Sequence, residues 1–175
     1  MSEPKFLDFA LVRRPPVADS EIIERAGVTI APVPDGTILQ LIGKPTLKDS
    51  PSVEGADLRP AGPGQWFAVF DEALSPSRIE AVRLALRESV SIIDQSHGRK
   101  RFRLQGPSVR RVLSKGTGVD LHADLFPIGA ATSTLFGHVT VHLTRTGEDV
   151  FELMVLRGFA ESLWHDLEQM AAPLG

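Results

Sequence analysis

Hydrophobic and polar residues alternate in short blocks that divide the chain into strands and a few helices. Gln65–Asp71 is a nearly continuous apolar run, which predicts a buried strand. Val90–Gln95 and Arg101–Gln105 alternate on either side of a Ser-His-Gly turn and predict a β-hairpin. Three more strands, rich in β-branched and aromatic residues, are predicted further along the chain: Ala131–Phe136, Val139–Thr144 and Val150–Leu156.

Helical spacing of apolar residues appears three times, twice between these strands and once after the last of them. The first helix is predicted after Ser75-Pro76-Ser77, with Ile79, Val82 and Leu86 on one stripe. A short second helix is predicted after Gly106-Pro107, and a final helix over Gly158–Met170. Helices that interleave with mainly antiparallel strand pairs predict the α+β class, with a mainly antiparallel sheet.

Proline is concentrated in the first third of the chain. Nine of the 13 prolines precede residue 64, and proline removes a backbone donor and fixes φ. We therefore expect residues 1–63 to form an extended N-terminal arm without central strands, although Gly27–Pro32 and Thr37–Ile42 have the pattern of short strands. Residues 64–175 are predicted to form the α+β core, and the two parts together to form one domain.

Composition excludes several classes of function. The 175 residues include 19 Lys and Arg against 22 Asp and Glu, a net charge of −3, so binding to nucleic acid is not expected. The chain has no cysteine, which excludes disulfides and thiolate ligands. No apolar run is long enough to cross a membrane, and Met1–Lys5 does not resemble the start of a signal peptide. We expect a cytoplasmic location.

Candidate chemistry is weak throughout the sequence. Gly116-Thr117-Gly118 lacks the third glycine of a dinucleotide loop, and no Gly-x-Ser-x-Gly elbow is present. His138 and His142 would lie too far apart along a strand to bind one metal ion, and we expect both at exposed positions. The sequence therefore predicts no catalytic, cofactor-binding or metal-binding residue.

Two features suggest a binding surface instead. Arg99, Arg101 and Arg103 alternate along one predicted strand and share a face. That face could receive a carboxylate, a phosphate or an acidic partner surface, or it could remain solvated. Trp164 lies one step from the main stripe of the last helix, where it is either a residue at the edge of the core or an interface anchor.

A set of segments follows a definite order and spacing between about Gly64 and Met170: Gly64–Trp66, Asp94–Arg99, Leu104–Gly116, Asp120–His122, Phe126–Gly129, Phe151–Ala160 and Leu163–Trp164. No single motif is diagnostic, but the ordered set resembles the gamma subunit family of heterotetrameric sarcosine oxidase. Through Asp94-x-Ser96-His97 and Leu104-x-Gly106-Pro107, that family in turn is similar to the folate-binding domain of the glycine-cleavage aminomethyltransferase.

The resemblance implies a noncatalytic subunit with a fold similar to that folate-binding domain. Its partners would be the alpha, beta and delta subunits of a complex that oxidatively demethylates sarcosine to glycine. The complex would use FAD, FMN, NAD and zinc and pass the one-carbon unit to tetrahydrofolate, with none of these groups in this chain.

A second reading is a stand-alone folate-binding protein or folate-dependent one-carbon transferase. Such a protein would use the predicted Asp94–Arg103 hairpin, with its arginines holding the glutamyl tail of the folate. A third reading is a scaffold protein of a related demethylating oxidase.

Overall fold

The computed structural model describes residues 16–18, 21–44 and 50–174. In this part of the chain, short 3₁₀ turns at Arg157–Phe159 and Ala172–Leu174 flank the last helix. The strands are β1 (Ile23–Arg25), β2 (Val28–Pro32), β3 (Thr37–Gly43), β4 (Asp57–Gly62), β5 (Gln65–Phe70), β6 (Val90–Asp94), β7 (Arg99–Gln105), β8 (Ala131–Phe136), β9 (Val139–Gly147) and β10 (Val150–Leu156), and the helices are α1 (Pro76–Leu86), α2 (Val109–Leu113) and α3 (Ala160–Ala171).

The strands form two antiparallel sheets. The six-stranded sheet has the order β1-β2-β7-β10-β9-β8, and the four-stranded sheet has the order β4-β5-β3-β6. Every strand pairing in both sheets is antiparallel among the described residues. The predicted α+β class with antiparallel pairing and interleaved helices is confirmed.

The two sheets pack face to face between two helical layers. One face of the six-stranded sheet is covered by α2 and α3, where Phe102, Leu153 and Leu163 are fully buried. Its other face meets the four-stranded sheet, with Met154 against Phe67 and Val69. Helix α1 covers the outer face of the four-stranded sheet. This order creates a layer between the sheets that is closed on both sides by β-structure.

Several local predictions agree with the structure. Strands β8 and β10 have their predicted bounds, and β9 ends three residues later than predicted. Gly137 forms the tight β8–β9 turn at φ +58°, a conformation that favours glycine. Helix α1 begins one residue after Ser75, whose hydroxyl accepts a hydrogen bond from the Arg78 N–H at 3.2 Å. The N-cap of α1 is thus Ser75, and Pro76 is its first residue.

The expectation that the proline-rich third contains no central strand is wrong. Strand β2 lies between β1 and β7, and β3 lies between β5 and β6, so both are interior strands. Pro32 is the last residue of β2, and Pro60 lies in the edge strand β4, where a missing donor is tolerated.

The sheet pairing also does not follow the predicted division at residue 63. Strands β4 and β5 pair across that position, with Gly62 opposite Gln65. The parts of the predicted arm at 1–15, 19–20 and 45–49 lie outside the described residues.

The predicted Asp94–Arg103 hairpin is also wrong. Strand β6 pairs with β3 in the four-stranded sheet, whereas β7 pairs with β2 and β10 in the six-stranded sheet. The turn at Ser96–Gly98 therefore carries the chain from one sheet to the other. Alternation predicts each strand correctly but does not identify its partner.

A matched pair of isoleucines tests whether β2 belongs to the core. We expect Ile30→Ala to lower the free energy of unfolding by about 2–4 kcal/mol, because Ile30 is 0% exposed and its loss leaves a cavity. Ile22→Ala, at a side chain that is 55% exposed, serves as the control and should cost well under 1 kcal/mol. Equal effects in urea unfolding would contradict the interior position of β2.

Candidate functional site

A buried carboxylate lies at the centre of the layer between the two sheets. Glu152 on β10 is 1% exposed and lies directly opposite Arg103 on β7. Its Oε1 accepts hydrogen bonds from Arg103 Nη2 at 2.7 Å and Nε at 3.0 Å. Its Oε2 accepts from Arg101 Nη1 at 3.3 Å and from Arg59 Nη2 at 2.8 Å. Because Arg59 is on β4, this group, the Glu152 cluster, joins the two sheets.

Further carboxylates stand at the open rim of the Glu152 cluster. Asp71 accepts a hydrogen bond from Arg101 at 2.8 Å and lies 3.8 Å from Arg103, and Asp57 accepts from Arg59 at 2.8 Å. A cleft of about 610 Å³ is lined by Asp57, Arg59, Asp71, Glu72, Arg103 and Glu152. Its lining has four carboxylates and two guanidinium groups, so the cleft has no excess positive charge.

The pKa values of the acids reflect this pairing. Burial raises the pKa of Glu152, but the charges of Arg59 and Arg101 and the hydrogen bonds from the arginines outweigh burial, so the pKa lies below its usual range. The hydrogen bond from Arg101 lowers the pKa of Asp71. Both carboxylates are held in the ionised form that pairs with the arginines.

The structure corrects the predicted arginine face. Alternation does place Arg99, Arg101 and Arg103 on one face of β7, but that face is turned toward the four-stranded sheet. Arg101 is 2% exposed and Arg103 is half-buried, so the row is not a flat solvated surface. Contact of these arginines with a partner remains a prediction, and Arg101 is already enclosed by this chain.

Arg99 differs from the other two arginines of the row. Its guanidinium lies 4.6 Å from the centre of the Phe67 ring, and its buried Nε has no hydrogen-bond acceptor among the described residues. Burial lowers the pKa of this side chain. Arg99 borders a second, smaller cavity of about 160 Å³ at another edge of the layer, together with Ser133, Thr140 and His142.

The expectation that both histidines are exposed is wrong for His142. Its imidazole is buried between the sheets, where Nε2 lies 2.9 Å from the Pro60 carbonyl oxygen and the ring meets Phe67 edge to face. Burial lowers the pKa of His142 to about 4, against a raising effect of that hydrogen bond. His138 is exposed in the β8–β9 turn, as predicted.

Trp164 lies at the edge of the helix-covered core. The side chain is partly buried, and its ring centroid is 5.5 Å from that of Phe102. Its role as an interface anchor stays a prediction. Within residues 16–18, 21–44 and 50–174, no group of three histidine or acidic side chains is arranged to hold a metal ion, and no helix is long and apolar enough to cross a membrane.

Sequence reasoning missed Glu152 and Arg59, which complete the central cluster. A signal was present, because Glu152 is the one charged residue in the otherwise apolar strand β10. A charge inside a buried strand requires a charged partner. The identity of that partner could not be read in the same way, since Arg59 is distant in sequence and belongs to the other sheet.

The chain is thus an α+β domain of two packed sheets. The buried charged side chains of its Glu152 cluster pair with one another and join the two sheets. The chain belongs to the sarcosine oxidase gamma subunit family, whose family model matches residues 49–173. The resemblance found in the sequence is thereby confirmed.

Individual relatives agree with this assignment. Sarcosine oxidase subunit gamma of Corynebacterium sp. (strain P-1) is 31% identical over 114 residues, which cover 65% of this chain and 56% of that protein. The chain thus matches about half the length of that relative. An aminomethyltransferase of Shouchella clausii is 30% identical over 113 residues, 63% of this chain and 30% of that protein.

A solved structure shows the same fold. It is described as a heterotetrameric sarcosine oxidase from Corynebacterium sp. U-96 in complex with pyrrole 2-carboxylate. The match has a TM-score of 0.76 at 24% identity and covers 93% of this chain and 96% of that chain.

Removing the central carboxylate tests the Glu152 cluster. We expect Glu152→Gln to lower the free energy of unfolding by about 3 kcal/mol, because the buried guanidinium groups of Arg59 and Arg101 would lose their shared counter-charge. Glu168→Gln on the exposed side of α3 is the control. Chemical unfolding that shows the same midpoint for both variants would contradict a stabilising role for the cluster.

The buried imidazole predicts a pH dependence of stability. Because the unfolded state takes up a proton near pH 6.5 and the folded state only near pH 4, stability should fall as pH is lowered through that window. The loss attributable to His142 is about 3 kcal/mol, at 1.36 kcal/mol per pKa unit. His142→Gln should remove this loss, whereas His138→Gln should retain it. Parallel pH profiles for the wild type and His142→Gln would refute the assignment.

Proposed function

We propose that this chain is the gamma subunit of a heterotetrameric sarcosine oxidase and that its role is assembly and packing rather than catalysis. The observation that carries the proposal is the family match over residues 49–173. The fold match over 93% of the chain supports it.

The arrangement of charges supports a noncatalytic role. The arginines of the Glu152 cluster donate to carboxylates of the same chain, and their contacts join β4 to β7 and β10. Side chains used in this way stabilise the fold and are not available to polarise a substrate. His142, buried and largely neutral above pH 4, is likewise occupied by its contact with the Pro60 carbonyl.

The proposal extends to the complex as a whole. Its other members are the alpha, beta and delta subunits, and together they oxidise sarcosine to glycine and transfer the one-carbon unit to tetrahydrofolate. In this proposal FAD, FMN, NAD, zinc and tetrahydrofolate are bound by those subunits. We place the complex in the cytoplasm.

The structure lacks the hairpin that the alternative of a stand-alone folate-binding protein required. That hypothesis relied on a hairpin whose arginines were free to hold a glutamyl tail. Strands β6 and β7 instead belong to different sheets, and Arg101 and Arg103 are both bonded to Glu152. The aminomethyltransferase match therefore supports a similar fold and does not by itself support folate binding.

Co-expression tests the proposed function. The tagged full-length chain, produced together with the alpha, beta and delta subunits of its source organism, should elute with them as an equimolar complex that carries flavin absorbance and oxidises sarcosine. The same chain produced alone should show neither flavin absorbance nor sarcosine oxidation, because in this proposal the flavins belong to its partners.

Two results would contradict the proposal. One is a chain that elutes apart from the other three subunits while they form an active enzyme without it. The other is a flavin spectrum that persists through gel filtration of the chain alone.

A further inference from the structure

One row of side chains crosses the six-stranded sheet at the edge where the small cavity opens. Leu135 on β8 is paired with Thr140 on β9, and Leu156 on β10 is paired with Arg99 on β7. Because Val155 pairs with Val141, Leu156 falls beside Thr140. Cross-strand neighbours share a face, so these four residues form one continuous row, the Arg99 row.

The Arg99 row lies on the face that elsewhere packs against the four-stranded sheet. Two steps along β10 from Leu156, Met154 is fully buried against Phe67 and Val69. Leu156, by contrast, is 47% exposed and Leu135 is 58% exposed. The four-stranded sheet thus does not extend over the whole row. Leu135 and Leu156 remain exposed on the sheet face beside the cavity.

Arg99 is the charged member of this row, and its guanidinium has no carboxylate partner among the described residues. Arg59, Arg101 and Arg103 each contact a carboxylate, whereas Arg99 has no ion pair with any described residue. Its Nε is buried without an acceptor among the described residues, and its guanidinium lies 4.6 Å from the centre of the Phe67 ring. Burial lowers the pKa of Arg99, and among the described residues the contact with Phe67 supplies no negative charge to balance the guanidinium.

The chemistry of the row determines what could cover it. A guanidinium without a salt-bridge partner favours a carboxylate, which it can bind through two parallel hydrogen bonds. The hydroxyl groups of Ser133 and Thr140 beside the cavity offer further donors. A free small carboxylate would satisfy Arg99 but leave Leu135 and Leu156 in water, whereas a polypeptide would cover all three.

We propose that the Arg99 row is a docking surface for another subunit of the complex, through a segment that presents an Asp or Glu carboxylate to Arg99 and apolar side chains to Leu135 and Leu156. This inference rests on the proposed function, since it assumes that the chain assembles with other subunits. It adds the surface and the chemistry by which one of them is recognised.

Three substitutions in the row test this surface. Arg99→Met, Leu135→Ser and Leu156→Ser should each weaken the binding of the full-length chain to the other three subunits by about tenfold. Arg111→Met on α2 and Leu84→Ser on α1 change exposed residues of the same types elsewhere and should leave binding unchanged. High salt should weaken binding of the wild type but have less effect on Arg99→Met.

The melting temperature of each variant alone separates assembly from folding. Arg99→Met should remain close to the wild type, because no ion pair within the described residues is lost with the charge. A fall as large as that of Glu152→Gln would overturn the proposal by making Arg99 a structural residue. A calorimetric titration with acetate that detects binding dependent on Arg99, with unchanged assembly of Arg99→Met, would also overturn it in favour of a small-molecule site.

The outcomes separate this proposal from the proposed function. If the wild type assembles and the three row variants bind as well as the two controls, the docking surface is wrong while the subunit assignment stands. If the wild type does not assemble with the other subunits, both fall.

Discussion

The contact of Glu152 with arginines from both sheets is the interaction on which the rest of the structure depends. A carboxylate that is 1% exposed would be strongly unfavourable without opposite charges around it. Arg103 and Arg101 approach it along β7, and Arg59 reaches it from β4. Apolar contact between the sheets is limited to a small group around Met154. The charged contacts therefore set how one sheet lies on the other, because each guanidinium must meet its oxygen at hydrogen-bond distance.

Much of the local structure could be predicted from the sequence because its causes are local. Period-two alternation identified β8, β9 and β10, and helical spacing identified α3. The predicted β6–β7 hairpin is wrong because the partner of each strand depends on which sheet can bury that strand's apolar face. The proline-rich third does contain interior strands, because a proline at a strand end such as Pro32 removes no hydrogen bond that the sheet requires.

The candidate site was predicted only in part for the same physical reason. Alternation correctly places the three arginines of β7 on one face, but sequence alone cannot show that a second sheet covers that face. The prediction that His142 is exposed is wrong for the same reason, because β9 is covered on both faces at that position. Charged residues on an alternating strand are ordinarily taken as solvent-facing, and here the exception depends on Glu152 and Arg59, which are 93 residues apart.

The buried charges and the exposed row belong to one sheet face, and this connects the fold to the proposed docking surface. The Glu152 cluster fixes the position of the four-stranded sheet over β7 and β10, and that position determines which residues of the six-stranded sheet are covered. Leu156 and Leu135 lie past the covered part and are exposed, and Arg99 contacts Phe67 of the four-stranded sheet. A different placement of the sheets would either bury the leucines or withdraw the ring from Arg99. The geometry of the proposed docking surface is thus a consequence of ion pairs inside this chain, because the same charged contacts that join the two sheets also determine which part of the six-stranded sheet stays open.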